Sequence, residues 1–196
     1  MTLPLEPPAP TAAGRFPAAV ERVRRLLDAH GRAGVRLHEV PAPRRLAPQA
    51  VAVAAEVDRD GVEVASGRFV VLHDPAGQAG WRGDTRVVAF VQADVEPEMA
   101  ADPALAEVGW SWLSDALRDR GAEHTAAGGT VTRTVSVRFG HITEPDEVSE
   151  VEVRASWTPV AAEDDLPLDR HLLAFCDLLC ATAGLPPPGV AALPRR

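Results

Sequence analysis

Apolar side chains recur along this chain with two periods, and each period predicts one kind of secondary structure. Positions three and four residues apart stay apolar over three segments, which predicts helices at 16–30, 103–120 and 168–183. Apolar and polar residues alternate over five other segments, which predicts strands at 49–57, 62–73, 85–95, 130–139 and 148–158. A short strand at 35–40 also fits the pattern. The strand 85–95 is apolar on both faces, which is typical of the middle of a sheet.

The connections between these elements indicate their arrangement. Links of hairpin length join neighbouring strands, so the sheet is expected to be mostly antiparallel. The order α-β-β-β-α-β-β-α then predicts a single α+β domain over 15–185, with about five strands and the helices packed on one face. The flanking segments 1–14 and 186–196 are rich in proline and are expected to be a disordered N-terminal tail and an extended C-terminal tail. Gly67 is expected to mark a bulge in its strand.

The predicted helix 103–120 is the most informative stretch. Residues that favour helix ends flank it: Asp102 as N-cap, Pro103 at the first position and Gly121 past the end. Its apolar stripe includes Trp112 but leaves out Trp110, which lies about 120° from the centre of the stripe. We therefore expect Trp112 to be buried and Trp110 to contact a partner protein or a second copy of the chain. In the alternative, the loop 42–48 covers Trp110.

Composition and charge exclude several functional classes. The 196 residues include 20 basic and 28 acidic side chains, and the formal net charge of −8 disfavours binding to nucleic acid or to an anionic membrane. Two cysteines are too few for a disulfide framework. We recognise neither a signal peptide nor an apolar run of about 18 residues. We expect a cytoplasmic protein with no cofactor and no metal.

One candidate site combines His73, Trp81 and the acidic segment Asp94–Glu98. His73 beside Asp74 could act as a general base, although Asp-Pro-Ala-Gly more often forms a turn. Trp81 lies in a glycine-rich loop, where it could cover a ligand or close the end of the core. Acidic residues at alternate positions, as in Asp94–Glu98, could share one side for acid chemistry or cation binding, but are usually solvated.

Arginines and cysteines supply the remaining candidates. Arg44 and Arg45 form a basic cluster that could hold an anion or an acidic partner, but is more often a solvated face. Arg133 falls on the apolar side of its strand, so it needs a carboxylate partner or anchors a ligand. Cys176 and Cys180 are one helical turn apart and are expected to be reduced core residues, because two thiolates do not complete a zinc site.

Seven stretches carry a resemblance to a known family: VRLHEVPAPRRLAP (35–48), GRFVVLHDPAGQAGW (67–81), VVAFVQADVEPEMAADP (87–103), LAEVGWSWLSDAL (105–117), GGTVTRT (128–134), VRASWTP (153–159) and LLCATAGLPPPGVAALPRR (178–196). They are similar to an uncharacterised actinobacterial family, domain of unknown function 3000. The resemblance covers most of the chain and implies no activity. The order of elements and the acidic charge also resemble the secretion-chaperone and YbjN-like folds, which commonly form dimers.

These observations favour a binding protein over an enzyme. The sequence shows no connected catalytic set, and one helix carries a surplus tryptophan. We predict a non-catalytic adaptor, chaperone-like or regulatory protein that binds a protein partner or forms a homodimer, through residues among Trp110, Trp81, His73, Arg133, Arg44 and Arg45. The alternative is a small-molecule-binding protein or an enzyme with its site near His73, Trp81 and Asp94–Glu98.

Overall fold

A computed structural model describes residues 12–29, 32–139, 147–162 and 165–186. These residues form ten elements: α1 (Ala12–Asp28), β1 (Arg36–Val40), β2 (Gln49–Arg59), β3 (Val62–Gln78), β4 (Gly83–Asp94), α2 (Pro97–Ala101), α3 (Leu105–Asp119), β5 (His124–Val137), β6 (Glu147–Pro159) and α4 (Leu168–Thr182). Each predicted helix and strand is confirmed in type. The predicted order α-β-β-β-α-β-β-α did not include two elements of the structure, the short strand β1 and the five-residue helix α2.

All six strands join one antiparallel sheet in the order β1-β2-β3-β4-β6-β5. β4 pairs with β3 on one side and with β6 on the other, so the strand that is apolar on both faces is central, as predicted. β5 precedes β6 in the chain but lies outside it, at the edge of the sheet. The α+β class is confirmed, with six strands instead of about five because β1 pairs with β2.

The core lies on one face of this sheet, which we call the inner face. Alternate residues of the middle strands are fully buried there, among them Val53, Phe69, Val91, Val153 and Trp157. α4 contacts β2, β3, β4 and β6, and α1 packs on α4. The opposite face presents polar side chains such as Glu56, Arg68 and Arg154. The predicted packing of helices on one face is therefore confirmed.

Gly67 is not at a bulge, contrary to the prediction. It pairs in regular register with both neighbouring strands, and the irregularity between β2 and β3 lies at Val57 and Asp58. A Cβ atom at position 67 would lie 2.7 Å from the carbonyl oxygen of Phe90 and 2.9 Å from Cζ of Phe175. The glycine is required because the phenylalanine ring of α4 rests directly on the backbone of β3.

α2 begins with Pro97 at its first helical turn, a position where the missing N–H costs nothing. Asp102 separates α2 from α3, and its carboxylate accepts a hydrogen bond of 2.8 Å from the backbone N–H of Ala104. Gly121 follows α3 with a φ of 57°, a left-handed conformation that favours glycine. The prediction for the end of α3 is therefore confirmed, but the prediction that Asp102 is its N-cap is wrong, because Ala104 holds that position.

α1 begins at Ala12, three residues before the predicted start of the domain. The predicted tails, 1–14 and 186–196, otherwise lie outside the described residues, apart from Pro186, and the predicted strand connection 140–147 does so up to residue 146. Among the helices of the described ranges, none is long and apolar enough to cross a membrane.

Candidate binding site between α3 and α4

The buried face of α3 is rotated relative to the predicted stripe. The buried residues are Leu105, Gly109, Leu113, Ala116 and Leu117, whereas Val108 is 41% exposed. At 100° per residue, Trp110 lies roughly 90° to one side of this face and Trp112 roughly 70° to the other. Both rings are half-buried. Trp112, which was expected to be buried, is therefore only partly so, and the two tryptophans pack against the core from opposite sides of the buried face of α3.

Trp110 lies against the edge strand β5. A Cβ atom at Gly129 would come within 2.9 Å of Cζ3 of the Trp110 ring, so the glycine leaves room for the aromatic side chain. The alternative that the loop 42–48 covers Trp110 is wrong, because that loop joins β1 to β2 at the other edge of the sheet. Contact between Trp110 and a partner stays a prediction.

Trp112 lines a surface cleft between α3 and α4, with a volume of about 490 Å³. α3 contributes Trp112, Asp115 and Asp119 to the lining, and α4 contributes Asp177. Arg32, from the segment between α1 and β1, and Arg120, just past α3, complete the polar lining. Three elements that are distant in the chain therefore meet at this cleft.

Asp177 binds both arginines. Its Oδ1 accepts a hydrogen bond of 2.5 Å from Nε of Arg32 and one of 3.0 Å from Nη2 of Arg120, while its Oδ2 accepts one of 2.5 Å from Nε of Arg120. The side chains of Asp177 and Arg32 are only 17% and 10% exposed. The carboxylate raises the pKa of Arg120. Each guanidinium is therefore held in one orientation at the base of the cleft.

Sequence reasoning missed this Arg32–Asp177–Arg120 cluster. Asp177 stands in the run Phe-Cys-Asp-Leu-Leu, where the residues around it are fully buried. A lone carboxylate in such a helix requires a cationic partner, and that signal was present. The partners themselves were not identifiable, since Arg32 lies 145 positions from Asp177 in the sequence and Arg120 lies 57.

Cys176 and Cys180 are both fully buried, so their predicted place in the core is confirmed. Burial raises the pKa of Cys176 to about 12 and that of Cys180 to about 11. Nη1 of Arg32 donates a hydrogen bond of 2.5 Å to Sγ of Cys180. Both groups are thiols at neutral pH, and a thiol is a poor nucleophile and metal ligand.

His73 is a buried histidine with defined partners. Its ring stacks on Phe16 with centroids 4.5 Å apart, and its Nδ1 lies 2.9 Å from Oγ1 of Thr85. That hydroxyl donates to Asp84, which pairs with Arg15 at 2.5 Å. Burial lowers the pKa of His73. The imidazole is 4% exposed, so it belongs to an internal network that ties α1 to the sheet.

Asp74 lies in the irregular part of β3 between His73 and Gln78, and Trp81 lies in the turn that follows this strand. Asp74 accepts hydrogen bonds from the backbone N–H of Ala76 at 3.1 Å and from the Gln78 side chain at 3.2 Å. The half-buried Trp81 donates its backbone N–H to the carbonyl of Gln78 at 2.9 Å and accepts a hydrogen bond from Thr158. The structure therefore does not pair Asp74 with His73.

The alternative site near His73, Trp81 and Asp94–Glu98 does not assemble. His73 pairs with Thr85 near the start of β4, whereas Asp94 ends that strand. Nine residues of extended chain separate the two positions by roughly 30 Å. Burial and the neighbouring Glu150 raise the pKa of Asp94. Within the described residues, no three His, Cys, Asp or Glu side chains are placed to hold a metal ion.

Arg133 faces the inner side of β5, as predicted, but it binds backbone carbonyl oxygens. Its Nη1 donates to the carbonyl oxygens of Ala100, at 3.2 Å, and of Asp102, at 2.5 Å. Ala100 lies in the last turn of α2, where carbonyl oxygens without a helical partner favour a cation, and Asp102 follows that helix. Arg133 therefore fastens the α2–α3 junction to the edge strand.

Arg44 and Arg45 lie in the loop between β1 and β2, and both are exposed. The nearby Arg36 does not join them, since it pairs with Glu56 at 2.7 Å and with Asp58 at 2.9 Å across the two strands. The structure thus brings neither arginine to the α3–α4 cleft. Their role in binding an anion or an acidic partner stays a prediction.

No curated protein and no solved structure matches the chain significantly, so the likeness in topology to secretion chaperones stays a prediction. The sequence model of one family, described as a protein of unknown function (DUF3000), matches residues 12–191. This match spans every element of the fold and confirms the resemblance drawn from the sequence. The chain belongs to the DUF3000 family.

Proposed function

We propose that this chain is a non-catalytic binding protein that receives part of a protein partner in the cleft between α3 and α4. The observation that carries the proposal is the half-exposed Trp112 beside two arginines that Asp177 holds in place. Tryptophan and arginine are the side chains most enriched at the energetic centres of protein interfaces. Such centres combine a large apolar surface with fixed polar groups.

The cleft is organised before any partner binds, which supports this role. Arg32 and Arg120 are already oriented by Asp177, so a partner would not have to immobilise these long side chains. Ala116, Ala181 and Leu185 supply apolar surface next to the tryptophan ring. A partner segment with one apolar side chain and polar flanks would match this lining.

The chemistry of the described residues also argues against a reaction at this cleft. The nearest sulfur nucleophiles, Cys176 and Cys180, have pKa values raised to about 12 and about 11. His73, the most base-like residue of the sequence, is buried in a separate network with Thr85. A nucleophile and a general base are therefore not brought together here.

The size of the cleft favours a second candidate function. A volume of about 490 Å³ falls within the range of roughly 300–1,000 Å³ that is typical of small-molecule sites. In that case Trp112 would stack on an apolar or aromatic ligand, and the arginines would orient a polar group. The two candidates share the site and differ in the class of occupant.

One experiment separates them. A photo-crosslinking amino acid is placed at Asp119, which lies on the rim and is 69% exposed, in cells that normally make the protein. The matched control is the same label at Ser114, which is exposed and lies about 140° from Asp119 around the same helix. We expect one discrete protein adduct from position 119, its loss in Trp112→Ala, and no such adduct from position 114.

The same cells supply protein for native mass spectrometry. A bound small molecule whose mass is lost in Trp112→Ala would support the second candidate instead. If position 119 gives neither a discrete adduct nor a bound mass, or if the adduct survives Trp112→Ala, the cleft is not the binding site.

A further inference from the structure

The two edges of the sheet differ in how well they are protected against pairing with another strand. β1 is five residues long, carries Arg36, His38 and Glu39, and runs into Pro41. Short length, charge and proline are the usual means by which a protein blocks an edge strand. At this edge, pairing with a further strand is disfavoured.

β5 forms the other edge and has almost none of these features. It is 14 residues long, contains no proline and no acidic residue, and is exposed along most of its length. Its single arginine, Arg133, turns toward the α2–α3 junction and so does not block the edge. Of the strands in the described ranges, only β6 pairs with it, so one row of backbone N–H and C=O groups lies open.

Beyond the helices, the β5–β6 hairpin also exposes apolar side chains on its inner face. Val135 is 52% exposed, Val137 is 53% exposed and Phe139, just past the strand, is 81% exposed. Val131 and Arg133 precede them on the same face, where α2 and α3 contact β5. The inner face is therefore covered by helices at one end of β5 and bare at the other.

From these features we propose that two copies of this chain form a homodimer by antiparallel pairing of their β5 strands. A two-fold axis through the strand pairs β5 with its own copy, which closes the assembly and joins two six-stranded sheets into one. In antiparallel pairing, opposite residues lie on the same face of the sheet. The exposed Val135 and Val137 of each copy therefore lie beside the inner face of the partner's sheet. This surface is separate from the α3–α4 cleft and does not depend on its function.

Charge favours a second copy as the occupant of this edge. The chain has a net charge of −8, so two copies repel each other over most of their surfaces. β5 has no acidic residue in 14 positions, so pairing of this strand with its own copy brings no two carboxylates of β5 opposite each other. An edge-to-edge contact is narrow, and we therefore expect a weak dimer whose population depends on concentration.

Sedimentation velocity of the full chain tests the proposal. The mass should rise from 20.8 kDa toward twice that value as the concentration increases from about 1 to 500 µM. The double variant Val135→Glu/Val137→Glu adds two charges at the interface of each copy, and should weaken dimerisation by at least about a hundredfold. Both positions are more than half exposed, so the monomer should fold normally.

A matched control adds the same charge elsewhere. Leu46→Glu/Val62→Glu changes two side chains that are 59% and 63% exposed, remote from β5, and should dimerise like the wild type. Hydrogen exchange should slow with concentration in β5 but not in β1. A chain that stays monomeric at about 500 µM, a dimer that survives the β5 variant, or open-ended polymers would each overturn the proposal.

Discussion

α3 and α4 are helices of equal length that pack side by side on one sheet, yet they differ in how much of each helix is buried. Ten of the 15 residues of α4 are buried, against five of the 15 in α3. α4 crosses the middle strands, whereas α3 lies beside β5 at the edge. The central helix is enclosed on nearly every side, and the peripheral helix keeps two tryptophans and a row of carboxylates near solvent.

The polar groups of the two helices follow the same division. On α4, Nδ1 of His171 accepts a hydrogen bond of 3.0 Å from Nε1 of Trp157, and Asp177 binds two arginines, so its polar side chains hold other elements in place. On α3, Asp115 and Asp119 pair with the exposed Arg118 of the same helix. The polar side chains of α4 therefore connect elements of the fold, whereas those of α3 remain at its surface.

The largest effect should come from emptying the centre of α4. Phe175 is fully buried, and its ring rests on Gly67 and packs on Phe69 with centroids 5.6 Å apart. Phe175→Ala should lower the free energy of unfolding by about 3–5 kcal/mol, as for other large aromatic residues in cores. Urea denaturation of the variant and the wild type measures this loss. A loss below about 1 kcal/mol would mean that α4 is not the main support of the sheet.

The second prediction concerns pH and the buried histidine of α4. Burial lowers the pKa of His171 from 6.5 to about 3. The unfolded chain therefore binds a proton below pH 6.5 that the folded chain does not accept until near pH 3. Protonation of the unfolded chain therefore lowers the free energy of unfolding as the pH falls below 6.5. The loss reaches about 2 kcal/mol at pH 5.

His171→Gln isolates this effect, because the glutamine side chain offers an acceptor for Nε1 of Trp157 and does not titrate. Between pH 7 and pH 5, the variant should lose about 2 kcal/mol less stability than the wild type. The measurement is a urea titration at several pH values. Equal slopes for the two proteins would show that His171 is not held neutral in the fold.

The smallest effects should come from the tryptophans of α3, although tryptophan is the largest side chain. Trp110 is half-buried against Gly129, and Trp110→Ala should cost about 1–2 kcal/mol. Trp112 borders an open cleft, so its removal creates no closed cavity and should cost about 1 kcal/mol or less. Thermal melts of both variants beside Phe175→Ala complete the comparison. If Trp112→Ala loses as much stability as Phe175→Ala, both helices contribute equally to the core, and the contrast between α3 and α4 is wrong.

Regular alternation made most of the fold predictable from the sequence. Val151, Val153, Ala155 and Trp157 are all buried on the inner face, as their spacing indicated. The rotation of α3 was not predictable, because Val108 and Trp112 are as apolar as true core residues. Their exposure depends on where β5 and α4 lie, which the local pattern does not contain.

The candidate site was less predictable than the fold. Its cleft depends on Asp177 meeting Arg32 and Arg120 from distant segments, and single-sequence patterns do not carry such long-range pairings. Conversely, the sequence suggested His73 as a possible general base, whereas in the structure its ring is buried and stacks on Phe16. A histidine next to a turn motif does not reveal which way its ring points.

The place of α4 in the chain has a consequence for biosynthesis. α4 covers the inner faces of β2, β3, β4 and β6, but it is the last of the ten elements to be synthesised. Until the residues up to 182 have been added, the apolar side chains on the inner faces of those strands have no helix to cover them. Closure of the core depends on contacts between distant parts of the chain, which are slow to form and leave a nascent chain prone to aggregation. The core of this fold is therefore completed only after α4 has been synthesised, and a ribosome stalled before α4 would expose an uncovered apolar sheet face.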